Sequence, residues 1–405
     1  MKPELLAPAG NLEKLKTAID FGADAVYLAG QRFGLRARAG NFSRFQLEEG
    51  LNYARQRGRK VYVTVNIFAH NRDLEDLPAY LEELQELAVD GLIIADPGVF
   101  SLARRYAPRL PLHISTQANI TNKEAARFWA DQGAERLVLA RELTEQEIGE
   151  IRRYCPETEL EVFVHGAMCI SYSGRCLLSS YMTGRDANQG DCAQACRWSY
   201  ALVEETRPGE YYPILEDERG TYIFNSADLC LLEYLPRLMA AGVNSLKIEG
   251  RMKSVHYVGT VVKVYRQAID AWLADPEGWQ CREEWLEELA KVSHRPYTTG
   301  FFLGWPPQQA GQHYLSAGYI REYDFVGIVR EETPQGLWVE QRGPFATGEE
   351  LEVLTSFGPN RQLRVEKMFN EAGEAIDRAP HPRQLVLLPG VAGIPAGSLL
   401  RRAKQ

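Results

Sequence analysis

The sequence predicts an α/β protein: a (β/α)8, TIM-like barrel with a long cysteine-bearing loop after strand 7, followed by a small all-β barrel domain. Eight short apolar runs alternate with amphipathic stretches over about 270 residues, the rhythm of such a barrel. The chain then changes to short alternating strands with glycine-marked turns. An open doubly wound sheet would usually show fewer strands and a glycine fingerprint after the first, and neither GxGxxG nor a Walker loop is present.

The eight runs are rich in Val, Ile and Leu and are bounded by turn residues, which is typical of buried parallel strands. They are Leu5–Ala7, Ala25–Ala29, Val61–Asn66, Gly91–Asp96, Leu112–Gln117, Arg136–Arg141, Leu160–His165 and Ser245–Glu249. Helices are predicted between them, several with a capping residue at the start and a glycine at the end. The clearest are Asn11–Phe21, Leu74–Ala88, Lys123–Gln132, Thr144–Tyr154 and Val255–Leu273.

Three domains are expected from these patterns. Residues 1–275 form the catalytic barrel, residues 276–320 a helical and Gly/Pro/aromatic linker packed on it, and residues 321–405 a closed C-terminal β-barrel. The linker is predicted to contain one helix, Glu283–Val292. Within the seventh loop we expect a hairpin of Tyr200–Val203 with Tyr222–Phe224, and then a helix that begins near Asp228 and includes Cys230.

Composition limits the classes of partner. The chain has 405 residues, of which 45% are apolar, and a net charge of -8, so it has a substantial core and no overall attraction for nucleic acid or anionic lipid. No DNA partner is expected, and RNA would have to be held by local patches. Two basic clusters are candidates for phosphate binding, or are simply solvated faces: Arg32, Arg36, Arg38 and Arg44, and Arg55, Arg57, Arg59 and Lys60.

The expected compartment is the cytoplasm. The first residues lack the basic and apolar pattern of a signal peptide, and no apolar run is long enough to span a membrane. Disulfides are rare in a reducing compartment, so a cysteine cluster there indicates metal binding or thiol chemistry.

Four of the seven cysteines lie between Glu161 and Arg197, in the loop that follows the seventh strand. The spacing between Cys169, Cys176, Cys192 and Cys196 is six, fifteen and three residues. Only the last pair is near the spacing of a structural zinc site, whereas an iron–sulfur cluster is freer in spacing. Zinc, an iron–sulfur cluster and a nucleophilic thiol with His165 as its base all remain open on spacing alone.

Polar residues follow the predicted strands at their carboxyl ends, where barrel enzymes collect their active sites. Each is either a satisfied rim residue or part of one pocket that includes the cysteine loop. They are Asn66, Asp96, Ser115, Gln117, Arg141, Glu142, His165, Glu249 and Arg251.

The segment EVFVHGAMCISYSGRCLLS, Glu161 to Ser179, resembles the signature of the peptidase U-thirty-two family, the collagenase-like proteases. The segments LLAPAG, DAVY and SLKIEGR are similar to other parts of that family. The resemblance covers about residues 2 to 275, and the tail is similar to the family's C-terminal domain. No GxSxG, HExxH or paired aspartates in a protease context accompany it.

The resemblance implies an oxygen-independent hydroxylase with a 4Fe-4S cluster, because better-understood relatives of this family take an oxygen atom from prephenate. By similarity to them, Cys169, Cys176, Cys192 and Cys230 are the expected cluster ligands, and Cys196 is an alternative to one of them. Arg141, Arg251 and Lys247 are candidates to pair with the two carboxylates of prephenate. His165 and Glu249 are candidates for proton transfer.

A barrel followed by one small β-domain is most similar to the branch that forms 5-hydroxyuridine at the wobble position of transfer RNA, so tRNA and prephenate are the expected partners. A branch that modifies ribosomal RNA and one that hydroxylates ubiquinone precursors are alternatives. Two further alternatives are a metal-dependent or thiol peptidase, as the family name states, and a non-catalytic RNA-binding protein with structural zinc.

Overall fold

The structure is a computed structural model that describes residues 2–33, 41–168, 171–173, 175–185, 192–193, 195, 227–304 and 319–404, and the backbone of 201–202 and 212–213. Cys169 and Cys196 lie outside the described residues, as do the expected hairpin strand 222–224 and the two basic-cluster residues Arg36 and Arg38.

Eight parallel strands close into a barrel, as predicted. Each pairs with its neighbours in chain order, and the barrel closes where the last strand pairs with both the first and the seventh. The strands are β1 (Glu4–Pro8), β2 (Ala25–Leu28), β3 (Lys60–Val65), β4 (Gly91–Ile94), β5 (Leu112–Ile114), β6 (Arg136–Val138), β7 (Glu159–Ala167) and β11 (Ser245–Ile248).

Helices surround the barrel, and their termini follow the predicted capping signals. Asn11 and Asn122 each accept a hydrogen bond from the backbone N–H three residues on, at 2.9 Å, and Thr144 forms a capping box with Glu147. The helices are α1 (Leu12–Asp20), α2 (Arg44–Arg55), α3 (Leu77–Glu86), α4 (Pro97–Tyr106), α5 (Lys123–Asp131), α6 (Glu145–Tyr154), α7 (Leu178–Thr183), α8 (Leu235–Ala240), α9 (Val255–Ala274) and α10 (Glu283–Ala290). None of these described helices is both long and apolar enough to cross a bilayer.

The inside of the barrel has an apolar layer and a charged layer. Leu6, Tyr27, Tyr62 and Ile93 form part of the buried apolar layer. Toward the amino ends of the strands, a buried network of ions and hydrogen-bonding groups fills the lumen, and its members bond one another at 2.5 to 3.1 Å. Its members are Glu4, Tyr62, Arg136, Glu161 and Lys247.

The chain between β7 and β11 differs from the prediction. The backbone of β8 (Ala201–Leu202) pairs with β9 (Tyr212–Pro213), which gives the expected first hairpin strand an earlier partner. Cys230 lies on a short strand, β10 (Asp228–Cys230), rather than on the helix that we expected there. β10 pairs antiparallel with the carboxyl end of β7 and parallel with β12 (Tyr297–Thr298) from the linker. The helical pattern begins only at Leu232, as a 3-10 turn that leads into α8.

The C-terminal residues form the predicted all-β domain. Its main sheet has eight antiparallel strands in an open half-barrel, and no pairing joins the two outer strands within the described residues, so the expectation of a closed barrel is corrected. The strands are β13 (Tyr323–Thr333), β14 (Gly336–Gln341), β15 (Phe345–Ala346), β16 (Glu350–Leu354), β17 (Arg361–Arg364), β18 (Met368–Phe369), β19 (Ala375–Ile376), β20 (Arg378–Ala379), β21 (Leu385–Pro389) and β22 (Leu399–Ala403). β15 and β20 pair separately from the main sheet.

Candidate functional site

The carboxyl end of the barrel brings together three segments that are far apart in the chain: LLAPAG, EVFVHG and SLKIEGR. A Cβ atom on Gly10 would lie 2.1 Å from the carbonyl oxygen of Arg251, so only glycine allows β1 and β11 to continue so closely together. Gly166 has φ +110, and a Cβ there would lie 2.6 Å from the carbonyl oxygen of Glu249. The close packing of these backbones fixes where His165, Glu249 and Arg251 emerge from the sheet.

Arg141 lies at this end of the barrel and holds the last residue of β7. Its Nη1 donates a hydrogen bond to the carbonyl oxygen of Ala167 at 2.9 Å, and its guanidinium lies 4.1 Å from the ring centre of Phe163. Its Nε is buried and has no hydrogen-bond partner in the part of the chain that the structure describes. Arg141 therefore contacts the backbone of Ala167, the residue two positions before Cys169 in the sequence.

Arg251 and Lys247 differ in their surroundings although both were candidates for binding carboxylates. Arg251 is buried at the mouth, where its Nη2 donates to Oδ1 of Asn41 at 3.1 Å. Lys247 lies inside the lumen, with its ammonium 2.6 Å from Glu161 and 4.4 Å from the ring centre of Tyr27. Because that ammonium already pairs with a buried carboxylate, Lys247 is not placed to bind the carboxylates of prephenate, and this expectation is corrected.

The polar residues after β3, β4 and β5 have structural partners. Asn66 donates to Oε1 of Gln117 at 2.7 Å, and Ser115 also contacts that oxygen at 3.4 Å. Asp96 caps α4 by accepting from the backbone N–H of Val99 at 2.9 Å. On this side of the mouth, side-chain hydrogen bonds shape the rim.

His165 points toward α9 rather than into the lumen. A bulge in the β7–β11 pairing puts His165 opposite Ile248, after Phe163 pairs with Lys247, and so changes which way the side chain faces. The imidazole is buried among the rings of Tyr257, Tyr265 and Tyr297, at centroid distances of 5.2 to 6.0 Å. Among the described residues, neither ring nitrogen has a hydrogen-bond partner. Burial, with the charges of Lys253 and His294, lowers the pKa of His165 to about 3, so the ring is neutral near pH 7.

Cys230 lies beside His165, as the residue paired with it across β7 and β10. The residue as a whole is partly exposed, and its thiol contacts the hydroxyl of Tyr265. Burial raises the pKa of Cys230 to about 11, and the hydroxyl of Tyr265 acts in the opposite direction. In the absence of a metal, the thiol is therefore protonated near pH 7.

Cys176 and Cys192 lie at the two ends of the segment that contains α7. The hydroxyl of Ser179 accepts from the backbone N–H of Ala193 at 2.8 Å, which holds the Cys192 segment against the helix. Within the described residues no three His, Cys, Asp or Glu side chains converge on a metal position. The donor set, four thiols with Cys169 directly beyond β7, fits an iron–sulfur cluster by its chemistry.

The linker contributes a buried polar cluster that the sequence did not indicate. Asp228 on β10 accepts from the backbone N–H of Arg295 at 3.2 Å and lies 3.8 Å from the ammonium of Lys253. Its other carboxylate oxygen is buried and accepts no hydrogen bond from any residue that the structure describes. His294 stacks on Tyr297 at 4.5 Å, beside His165. The only sequence signal was the run SHRPYTTG, which we expected to be a linker.

The second basic cluster is largely engaged within the protein. Arg55 donates to the carbonyl oxygens of Leu87 and Ala88, Arg57 lies on the ring of Tyr53, and Arg59 pairs with Asp24 at 2.8 Å. Arg57 and Arg59 border a cleft of about 840 Å³ between α1, α2 and the C-terminal domain. Arg57 also pairs with Asp20 at 3.4 Å, so both of these arginines already have carboxylate partners within the protein.

Comparisons with known proteins place these features in a family. The model of Peptidase family U32 matches residues 10–312, and that of its C-terminal domain matches residues 321–401. "tRNA hydroxylation protein P1" of Bacillus subtilis is 45% identical over 411 residues, covering 100% of this chain and 95% of that protein. "tRNA hydroxylation protein P" of Escherichia coli is 39% identical and covers 96% of this chain and 94% of that protein. "23S rRNA 5-hydroxycytidine C2501 synthase" of Escherichia coli is 39% identical, covering 87% of this chain and 52% of that protein.

Proposed function

Because the chain belongs to peptidase family U32, we propose that it is an enzyme of tRNA hydroxylation, as the names of its full-length relatives state. The observation that supports this most directly is the 45% identity to the Bacillus subtilis protein along the whole chain, both domains included. The ribosomal-RNA synthase is a less suitable guide, since this chain covers only 52% of it.

We propose in more detail that the product is 5-hydroxyuridine at the tRNA wobble position and that prephenate is the oxygen donor. Cys169, Cys176, Cys192 and Cys230 would hold a 4Fe-4S cluster, which supplies redox chemistry at the barrel mouth when it is bound. Support comes from the positions of the three described members: Cys230 lies on β10 opposite β7, and Cys176 and Cys192 flank the α7 segment.

The residues of the mouth suggest a division of roles. Arg141 and Arg251 would bind the carboxylates of prephenate, because a guanidinium matches a carboxylate and the Nε of Arg141 bonds to none of the described residues. Glu249 borders the same mouth and would exchange protons with the substrate. His165 would also transfer protons. Its neutral imidazole lies on the α9 side of the sheet, beside Cys230 in the β7–β10 pair.

Peptidase activity is the second candidate, and the family name is the observation that favours it. The two are separated by one experiment in a bacterial strain that lacks its own tRNA hydroxylation proteins. Expression of this chain should restore 5-hydroxyuridine derivatives in tRNA, as measured by mass spectrometry of nucleosides, and Cys230→Ser should not. Cleavage of casein or gelatin by the purified protein, with no change in tRNA, would instead establish the peptidase.

A further inference from the structure

The short helix α7 exposes large apolar side chains next to two of the candidate cluster ligands. Tyr181 is 87% exposed and Leu177 is 69% exposed, and Tyr172 and Met182 are also exposed. Of the described residues of this helix, only Ser179 is buried. Apolar side chains grouped on a surface in this way usually mark an interaction site.

These exposed apolar side chains lie next to the candidate cluster ligands. Cys176 immediately precedes Leu177, and the Cys192 segment is held to the helix through Ser179. Two other exposed apolar residues, Phe45 and Met252, follow strands β2 and β11 and so lie at the same end of the barrel. Of the exposed apolar residues elsewhere in the described chain, Phe128 and Leu273 are on the outer helices, Leu303 is in the linker and Phe357 is in the C-terminal domain.

The charge of the segment that contains α7 indicates which kind of partner it binds. Residues 168–185 contain two arginines and no carboxylate, in a chain whose net charge is -8. The exposed guanidinium of Arg175 lies 5.5 Å from the ring centre of Phe68. Within the described residues it pairs with no carboxylate. Exposed aromatic rings interleaved with arginine suit single-stranded nucleic acid, because bases stack on the rings and arginine contacts phosphates.

We propose that this surface, the α7 face (Tyr172, Arg175, Leu177, Tyr181 and Met182), stacks the unpaired bases of an RNA loop beside the cysteines. The proposal rests on the proposed function and deepens it by assigning the residues that receive the substrate. Tyr181 is the main stacking residue, because its ring is the most exposed of the group. A double-stranded RNA, whose bases are already stacked, would gain little from this surface.

Tyr181→Ala tests the proposal in the complete holoprotein. The probes are an unmodified tRNA anticodon stem-loop and a fully paired RNA duplex of the same length, at one fixed salt concentration. Loss of one stacked base should raise the Kd for the stem-loop about ten-fold and leave the Kd for the duplex unchanged. Tyr181→Phe should bind as the wild type does, because the ring is kept. Phe128→Ala, which removes an exposed ring from α5, is the matched control and should have no effect.

Each outcome has one meaning. Unchanged stem-loop affinity in Tyr181→Ala, or an equal loss for the duplex, overturns the stacking role, as does an effect confined to association with another protein. If Tyr181→Ala binds the stem-loop more weakly but the wild-type protein does not hydroxylate tRNA, the stacking role of the α7 face is supported and the proposed function is contradicted. A wild type that binds no RNA contradicts both.

Discussion

His165 and Cys230 lie opposite each other across the antiparallel pair of β7 and β10. This pairing attaches one candidate ligand to the strand that leads to Cys169, although the two cysteines are far apart in the sequence. The candidate cluster site therefore depends on closure of the barrel, since β7 also pairs with β11 through His165.

Replacing Cys230 with serine should remove the cluster and leave the fold intact. Serine is close to cysteine in size and can still contact Tyr265, but an alcohol does not replace a thiolate as an iron ligand. After anaerobic purification, we expect about four irons per chain in the wild type and a large loss in Cys230→Ser. Cys281→Ser, another partly exposed thiol, should keep its iron. Equal iron in both variants would exclude Cys230 as a ligand, and zinc without iron in the wild type would exclude the cluster.

Arg141→Lys should weaken binding of the oxygen donor. Lysine keeps the positive charge but loses the planar fork that pairs with a carboxylate. The KM for prephenate should rise about ten-fold, the loss expected for a charged hydrogen bond, with a smaller change in kcat. Arg72→Lys, at an exposed arginine between β3 and α3, is the control. An unchanged KM in Arg141→Lys would remove Arg141 from the donor site.

His165 should make the protein less stable in acid. Its pKa is about 3 in the folded protein, below the ordinary 6.5, because burial and nearby positive charge disfavour the imidazolium. Between these two pH values the unfolded chain binds a proton that the folded chain does not, so the free energy of unfolding falls as the pH falls.

His165→Asn should reduce that dependence by about 1.4 kcal/mol per pH unit between pH 6 and pH 4, measured by urea unfolding. His381→Asn, at an exposed position, provides the comparison. Equal slopes for the wild type and His165→Asn would show that the buried imidazole is already protonated or is exposed in solution.

Arg401 joins the two domains and should be important for stability. It is fully buried on β22, where Nε lies 2.9 Å from Glu352 and Nη2 lies 2.7 Å from Glu288 on α10. Arg401→Ala leaves both carboxylates without this partner and should cost about 3–5 kcal/mol of unfolding free energy. Arg402→Ala, which removes the neighbouring, more exposed pair with Glu349, should cost less than about 1 kcal/mol. Similar losses in the two variants would contradict the importance of the buried contact.

Glu352 gives the same interface an acid dependence. Burial alone would raise the pKa of this carboxyl, but the hydrogen bond and charge of Arg401, with Lys291, outweigh burial and lower the pKa to about 2. Its contribution to stability is therefore complete above the ordinary value of 4.5 and is lost as the pH falls from there toward 2. In Arg401→Ala this part of the acid dependence should become smaller.

The barrel could be predicted because the apolar residues of each strand are consecutive and local. β10 could not, because Asp228 to Leu231 precede a helical pattern and become a strand only through hydrogen bonds to the end of β7. The same limit explains the cluster of Asp228, Lys253 and Arg295. Asp228 and Arg295 come together through the β10–β12 pairing, and Lys253 approaches Asp228 from the turn between β11 and α9, so the three segments share no local pattern.

The sequence also could not predict which way these side chains point. Lys247 lies on β11 and Glu249 directly follows that strand, yet Lys247 pairs with Glu161 inside the lumen and Glu249 lies at the mouth. The depth of a side chain in the barrel is set by the register between strands. The bulge in the β7–β11 pairing also changes which way the side chain of His165 faces.

The central claim is tested most directly by an anaerobic reaction of the purified holoprotein with unmodified tRNA. Mass spectrometry of the tRNA nucleosides is the measurement, with and without prephenate. We predict that the wobble uridine gains one oxygen atom only when prephenate is present, and that the gain is absent in Cys230→Ser. A fully iron-loaded protein that leaves the tRNA unchanged, or one that adds the oxygen equally well without prephenate, would contradict the account.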